Sequence, residues 1–400
     1  MNKTMDTWYH MRKDFSTFRL EPEKHRHILL GRRERKQRDM LMNDIEGASY
    51  AMEGHKAVVF GDYGRGKTHM CHNLGFQIAR RGLKILPIYI KCSAFTSKEP
   101  FNSLFREFIQ QLTTEKMRDV AEAYVKRSQH GEVKKLDEIV RSEEIALVMT
   151  KGLTAVELDV VRSSMRWLGG DPKVDMGLVS KSIRPQLSDS RDFGAVMRGI
   201  SQMLITVEGK VPVYLIDEAE RLQDVTNVDT ASHWTASLRE LTELPNVGVL
   251  FFVGALTRNQ LPQILLYDEI RRRIGVANYV EFQNPSRDEL SEFLSELFST
   301  CIRKGDVPEE HRDVLSAEDR NPGVPAALLE ATGHDPEQLR TYPFSPEAFQ
   351  EFVEQVSIGD STQKPSEVLV RVQKIAQRAM RTDKLLIDVK MVEQLASEVF

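Results

Sequence analysis

Ala57-Val58-Val59-Phe60-Gly61-Asp62-Tyr63-Gly64-Arg65-Gly66-Lys67-Thr68 is a short apolar run followed by G-x-x-x-x-G-K-T, and an amphipathic segment continues it to about Arg81. The order predicts strand, phosphate loop, helix, the context in which this motif carries meaning. Gly61, Gly64 and Gly66 let backbone N–H groups turn inward around phosphate oxygens, where a Cβ would clash or forbid positive φ. A helix starting near Lys67 adds unpaired N–H groups and its positive dipole end. Lys67 is placed to reach the β- and γ-phosphates of a nucleotide, and the Thr68 hydroxyl to hold Mg²⁺. Asp62, Tyr63, Arg65 and His69 complete the predicted ATP-binding set. The plainer alternative is a glycine-rich turn between a core strand and a core helix. The match at every fixed position, with both flanks in place, argues against it.

A second motif supports the first. Val213-Tyr214-Leu215-Ile216-Asp217-Glu218 is an apolar run ending in two carboxylates. At a strand's end Asp217 would sit beside the metal, usually through water, and Glu218 would polarise a water for attack on the γ-phosphate. The order Asp-Glu favours hydrolysis over simple binding. Val247 to Gly254 reads as a further buried strand that ends in Ala255-Leu256-Thr257-Arg258-Asn259. Thr257, and after it Asn259, is the candidate to reach the γ-phosphate or orient the water; an ordinary strand-to-helix cap is the alternative. Before the strand Tyr279–Phe282 lie Arg271, Arg272 and Arg273. One of them, Arg273 first, is a candidate finger into a neighbouring subunit's nucleotide site, the alternative being a solvated basic helix end.

The chain has 400 residues, 41% of them hydrophobic and 28% charged, enough for one large core and a second domain. The net charge of −4 excludes bulk attraction to polyanions, so any DNA contact needs a local patch. Three cysteines without a C-x-x-C pair predict a reduced, cytoplasmic protein. No run approaches the roughly 18 apolar residues of a membrane span. Between Met1 and Leu30 the aromatic residues Trp8, Tyr9, Phe15 and Phe18 are compatible with packing on the core, stacking on bases or docking a subunit. His27-Ile28-Leu29-Leu30-Gly31-Arg32-Arg33-Glu34-Arg35 precedes a helical pattern, and an apolar run with backbone groups can frame an adenine, with Gly31 and Arg32 at its centre.

Ile85–Ile90 predicts a strand in which Pro87 points to its start or to a sheet edge. Phe101, Leu104, Phe105, Phe108, Ile109 and Leu112 follow helical spacing. The long interval from Ile90 to Val213 exceeds what a compact α/β unit needs, so residues 114–187 are read as a helical insertion. Its Lys126, Arg127, Lys134, Lys135, Arg162, Arg166, Lys173, Lys181 and Arg184 are by default a solvated face, or a DNA or partner surface together with Arg12 and Lys13. Ser232 is a candidate cap for a helix burying Trp234, Leu238 and Leu241. Ser286-Arg287-Asp288-Glu289 spells a capping box. Residues 304–344 predict a long irregular connection, followed by helices near 346–357, 366–381 and 388–399, and the apolar pattern running to Phe400 leaves no room for another globular module. The expected fold is α/β: a P-loop core with a five-stranded parallel sheet flanked by helices, a helical insertion, and an all-α lid. The expected segments are an arm at 1–27, a nucleotide-binding core at 28–283 and a lid at 284–400.

Taken together, Gly31–Arg35, Gly61–Thr68, Leu215–Glu218, the strand leading to Thr257, Arg271–Arg273 with Phe282, and the helical C-terminal part resemble the AAA+ ATPases, and within them the origin-recognition initiator clade. Similar cores occur in transposition-regulator ATPases and in ATP-binding proteins of BREX-type phage-defence systems, to which the G-D-Y-G-R-G-K-T loop and early insertion look closest. The resemblance implies an ATPase that uses ATP and Mg²⁺ and forms a homo-oligomeric ring or spiral. Such an assembly would control a nucleic-acid-directed effector such as a nuclease or transposase, without a membrane. Family members commonly carry an arginine near the start of the lid helix; here the stretch is Lys364-Pro365-Ser366, with Arg371 as a possible substitute. No winged-helix DNA-binding domain fits the C-terminal pattern, which favours defence or mobile-element roles over replication initiation. The contrasting reading is a nucleotide-gated switch that binds only protein.

Overall fold

The computed structural model describes all residues except 1–3, 93–99, 173, 188, 225–227, 305–323, 358–363 and 400. Lys173 and part of the predicted 304–344 connection therefore lie outside the described residues, as do the side chains of Phe101 and Trp234. In chain order the elements begin α1 (Met5–Trp8), α2 (Arg32–Tyr50), β1 (Lys56–Gly61), α3 (Lys67–Arg80), β2 (Ile85–Lys91), α4 (Pro100–Gln110) and α5 (Thr114–Gln129). Next come α6 (Leu136–Val140), α7 (Glu143–Leu147), α8 (Leu158–Leu168), α9 (Ser190–Glu208), β3 (Val211–Asp217), α10 (Val228–Glu243) and β4 (Gly248–Gly254). After α11 (Gln263–Leu266), α12 (Asp268–Ile274) and β5 (Tyr279–Phe282), the remainder is helical. It comprises α13 (Arg287–Cys301), α14 (Ala326–Ala331), α15 (Pro336–Thr341), α16 (Pro346–Ser357), α17 (Pro365–Arg381) and α18 (Val389–Val399).

Two compact units emerge. One comprises Met40–Gly61 and Leu74–Phe282; the other comprises Met1–Asp39, Asp62–Asn73 and Gln283–Phe400. The boundaries expected at 27/28 and 283/284 divide the chain by sequence, whereas these units are divided by contact in space.

The first unit is built on a five-stranded sheet of order β2-β3-β4-β1-β5, every pair parallel. This is the α/β class and strand count that the sequence predicts. The central strands β3 and β4 are almost wholly buried, which is why they read as unbroken apolar runs. β2 lies at an edge, and Pro87, which lacks an N–H, is tolerated there opposite Val213 on its single neighbour. The insertion keeps the solvated face of its default reading, with Arg162, Arg166 and Lys181 exposed, and buries its apolar residues. Tyr124, Val148, Met149 and Trp167 are buried in one apolar cluster with Phe193 of α9 and Tyr214 of β3. Arg184 also works internally: it pairs with Glu144 and with Asp192, the N3 residue of the capping box on α9. Lys126, Arg127, Lys134 and Lys135 do remain exposed. Ser232 is not a cap, because α10 already begins at Val228.

In the second unit the arm packs. Tyr9, Phe15 and Phe18 are at most 2% exposed, Phe18 meets Phe298 edge-on, and the Tyr9 hydroxyl donates to the Ala376 carbonyl at 2.7 Å. Aromatics so buried are not available to stack on bases. Arg12 is also buried, its Nε donating to the Thr300 carbonyl at 3.0 Å, which removes it from any DNA patch. The capping box at Ser286 and Glu289 forms in both directions. The connection before Phe344 is less irregular than expected, since α14 and α15 lie within it.

Candidate phosphate-loop and carboxylate site

The loop begins where β1 ends. A Cβ on Gly61 would lie 2.5 Å from the Phe282 carbonyl oxygen, so β5 can pair closely with β1 only beside glycine. The chain then turns through Gly64 at φ +79° and Gly66 at φ +87°, angles that side-chain-bearing residues rarely adopt. α3 opens at Lys67, with Thr68 its second residue and no acidic residue in its first turn. Lys67 is buried, and its Nζ donates to the Asp62 carbonyl at 2.8 Å, folding the ammonium back across the loop. Glycines at positive φ, a helix N-terminus free of acid and an inward lysine fit a polyphosphate. Among the described residues no cluster of three or more His, Cys, Asp or Glu could hold a metal. A nucleotide-bound Mg²⁺ does not require one, because phosphate and water oxygens supply most of its ligands.

The other loop residues divide. Tyr63 is exposed and Arg65 half-buried. Asp62 accepts from the Tyr63 N–H at 2.7 Å and pairs with Lys364 Nζ at 2.9 Å. Burial raises the Asp62 pKa, but Lys364 and the Tyr63 N–H outweigh it and hold the carboxyl below its ordinary value. The Ser366 N–H donates to the Gly64 carbonyl at 3.3 Å, and a Cβ on Gly64 would come within 2.0 Å of Ser366 Oγ. The start of α17 thus touches the loop at two points, through a lysine and a serine. Arg371 is half-buried on the same helix and, among the described residues, has no ion-pair partner.

His69 faces the run before α2: its Nε2 lies 2.5 Å from the Ile28 carbonyl oxygen, and burial pulls its pKa down to about 4. Gly31, at φ +87°, donates its N–H to Glu296 at 2.7 Å, and Arg35 grips the same carboxylate at 2.8 and 2.6 Å. Arg33 donates to the Asn284 carbonyl at 2.8 Å, whereas Arg32 is exposed. The box therefore fastens the buried run Ile28–Leu30 to α13.

The carboxylate pair belongs to the sheet unit, at the carboxyl end of β3. Asp217 is 3% exposed and accepts from the Tyr89 hydroxyl at 3.2 Å. Glu218 follows at φ +55°, and its carboxylate pairs with Lys91 and Arg221, each at 2.9 Å. Thr257 is exposed at the start of a short 3₁₀ turn, and its side chain makes no capping bond. Asn259 is exposed as well. Arg273 is occupied within its own chain by Glu243 and, at 2.7 Å, by the Glu269 carbonyl. Arg272 is exposed and unpaired among the described residues. Sequence reasoning missed Lys364, Lys91, Arg221 and Tyr89. The one available signal was a cation at Lys364, beside the place where an arginine was sought.

No family model and no curated protein matches the chain. Solved structures do. Cdc6p from Pyrobaculum aerophilum aligns at 9% identity over 96% of this chain and 68% of that one, with a TM-score of 0.45. The ORC2 protein of Aeropyrum pernix, in ADPNP and ADP complexes, aligns at 12% identity over 97% and 72%, with a TM-score of 0.49. Drosophila ORC bound to DNA aligns at 12% identity over 96% and 66%, with a TM-score of 0.47. Identities and scores this low assign no role to any residue.

Proposed function

We propose that this chain is an AAA+-type ATPase that binds ATP with Mg²⁺ and hydrolyses it. The observation that carries the proposal is the loop, with Gly64 and Gly66 at positive φ, Lys67 folded across it and a helix opening at once. Lys67 and the loop N–H groups hold the phosphates, Thr68 and Asp217 serve Mg²⁺, and Glu218 is the general base. Bound Mg²⁺ supplies charge neutralisation of the phosphates. Lys91 and Arg221 hold the Glu218 carboxylate in its resting pairs, so the base must exchange those partners for water before it acts.

The finer part of the proposal is assembly of copies into a ring or spiral that regulates a nucleic-acid-directed effector, a nuclease or transposase, in phage defence or a mobile element. The exposed Lys126, Arg127, Lys134 and Lys135 support DNA contact, because a few phosphate contacts repeated along an assembly sum to useful, salt-sensitive affinity. With Arg273 occupied, the exposed Arg272 becomes the better candidate to act in a neighbour. Mixing Lys67→Ala with Arg272→Ala subunits should then restore activity that neither has alone. A DNA titration with and without a non-hydrolysable ATP analogue, at two salt concentrations, tests the nucleic-acid half. Absence of binding at low salt would favour a slow, protein-only switch, a reading supported by buried Arg12 and doubly paired Glu218.

A further inference from the structure

In the sheet unit, a cavity of about 440 Å³ is lined by residues of α4, α8 and the start of α5. That size falls within the roughly 300–1,000 Å³ of small-molecule sites. Buried Ile109, Leu112 and Met165 give it an apolar lining. Three guanidinium-bearing side chains also line it: Arg106 from α4, and Arg162 and Arg166 from α8. Their partners leave charge to spare. Arg166 is committed, with Nε and Nη2 at 3.0 and 2.8 Å from one oxygen of Asp171. Among the described residues Arg162 meets only Asp159, at 3.3 Å in a solvent-exposed pair, an arrangement that contributes little. Arg106 has no acidic partner among the described residues, and its Nε is buried without an acceptor. An orphaned buried donor is destabilising, a cost that an incoming anion would relieve.

We propose that this cavity binds a small organic anion, with an apolar body on Ile109 and Met165 and a phosphate or carboxylate held by Arg106 and Arg162. Guanidinium groups suit both heads, since their paired N–H donors match two anionic oxygens. α4 packs on β2, while α8 belongs to the insertion, so the occupant bridges the two. The site makes no use of the phosphate loop and stands or falls apart from the nucleotide reading.

The test is methyl NMR of the full chain titrated with phenyl phosphate, with benzoate in parallel to separate the two head groups. The Ile109 and Met165 methyl signals should shift saturably with at least one of these probes. Benzyl alcohol and inorganic phosphate, each carrying half of the chemistry, should bind at least about tenfold more weakly. Arg106→Gln should weaken the better probe by about tenfold or more. If Arg106→Gln fails to fold, Arg162→Gln, at a more exposed position, reads the same contact. Methyl signals unmoved by both probes, benzyl alcohol binding as tightly, or wild-type affinity in the folded arginine variants would overturn the proposal.

Discussion

β1 and β3 lie in one parallel sheet, and the chemistry is assigned to the ends of both, yet the two ends are built differently. Beyond β1 the conformation is set by backbone, through Gly64 and Gly66 at positive φ and a lysine folded onto a carbonyl of its own loop. Beyond β3 it is set by charge, with Glu218 between Lys91 and Arg221. A backbone-built loop keeps its conformation as phosphate binds, while Lys67 exchanges the Asp62 carbonyl for phosphate oxygens. A charge-built end must trade partners. On the proposed function, binding is therefore the ready step and turnover the restrained one.

The sharpest way to break this contrast is Lys67→Ala. Loss of the ammonium should lower ATP affinity by about 100-fold or more in a titration with a fluorescent analogue. Affinity unchanged within about threefold would deny the loop its role.

Gly64→Ala tests the backbone side next. It combines φ +79° with a methyl 2.0 Å from Ser366 Oγ, and should destabilise by roughly 1–3 kcal/mol in urea unfolding. Gly66→Ala, at a similar φ but in open space, should cost less. Equal losses would show that the contact with α17 contributes nothing.

A smaller effect comes from His69. Its folded pKa lies near 4, against an ordinary 6.5. The unfolded chain therefore takes up a proton first as pH falls, and the stabilisation, complete above about 6.5, is lost progressively toward about 4. The loss near pH 5 should be roughly 1–2 kcal/mol, and His69→Gln should flatten that part of the curve. His25 and His27, both lowered chiefly by burial, act in the same direction.

Lys91→Ala should give the smallest change. The lysine is largely exposed, so freeing Glu218 should raise ATP turnover by about two- to fivefold. Slower turnover would make Lys91 a supporting residue rather than a restraint.

What was legible in the sequence follows the same division. The loop is spelled by neighbours in the chain, and β3 and β4 announce themselves as apolar runs because both are buried. Pro87 even marks an edge strand. The pairing of Lys91 with Glu218 was not legible, because it depends on β2 lying in register beside β3, which places Lys91 opposite Asp217. Lys364 reaches Asp62 only after the chain has folded back across the helical part. The insertion's solvated face was legible from its charges, whereas the burial of Trp167 and Tyr124 and the pairing of Arg184 with Glu144 and Asp192 were not. Periodicity does not say which charges are paired internally.

The most direct measurement compares Glu218→Gln with wild type for ATP binding and for single-turnover hydrolysis in Mg²⁺. The expected result is affinity within about threefold of wild type and hydrolysis slowed by about 100-fold or more. Hydrolysis at the wild-type rate would show that Glu218 is not the base and that the end of β3 is not the restrained half of the chemistry.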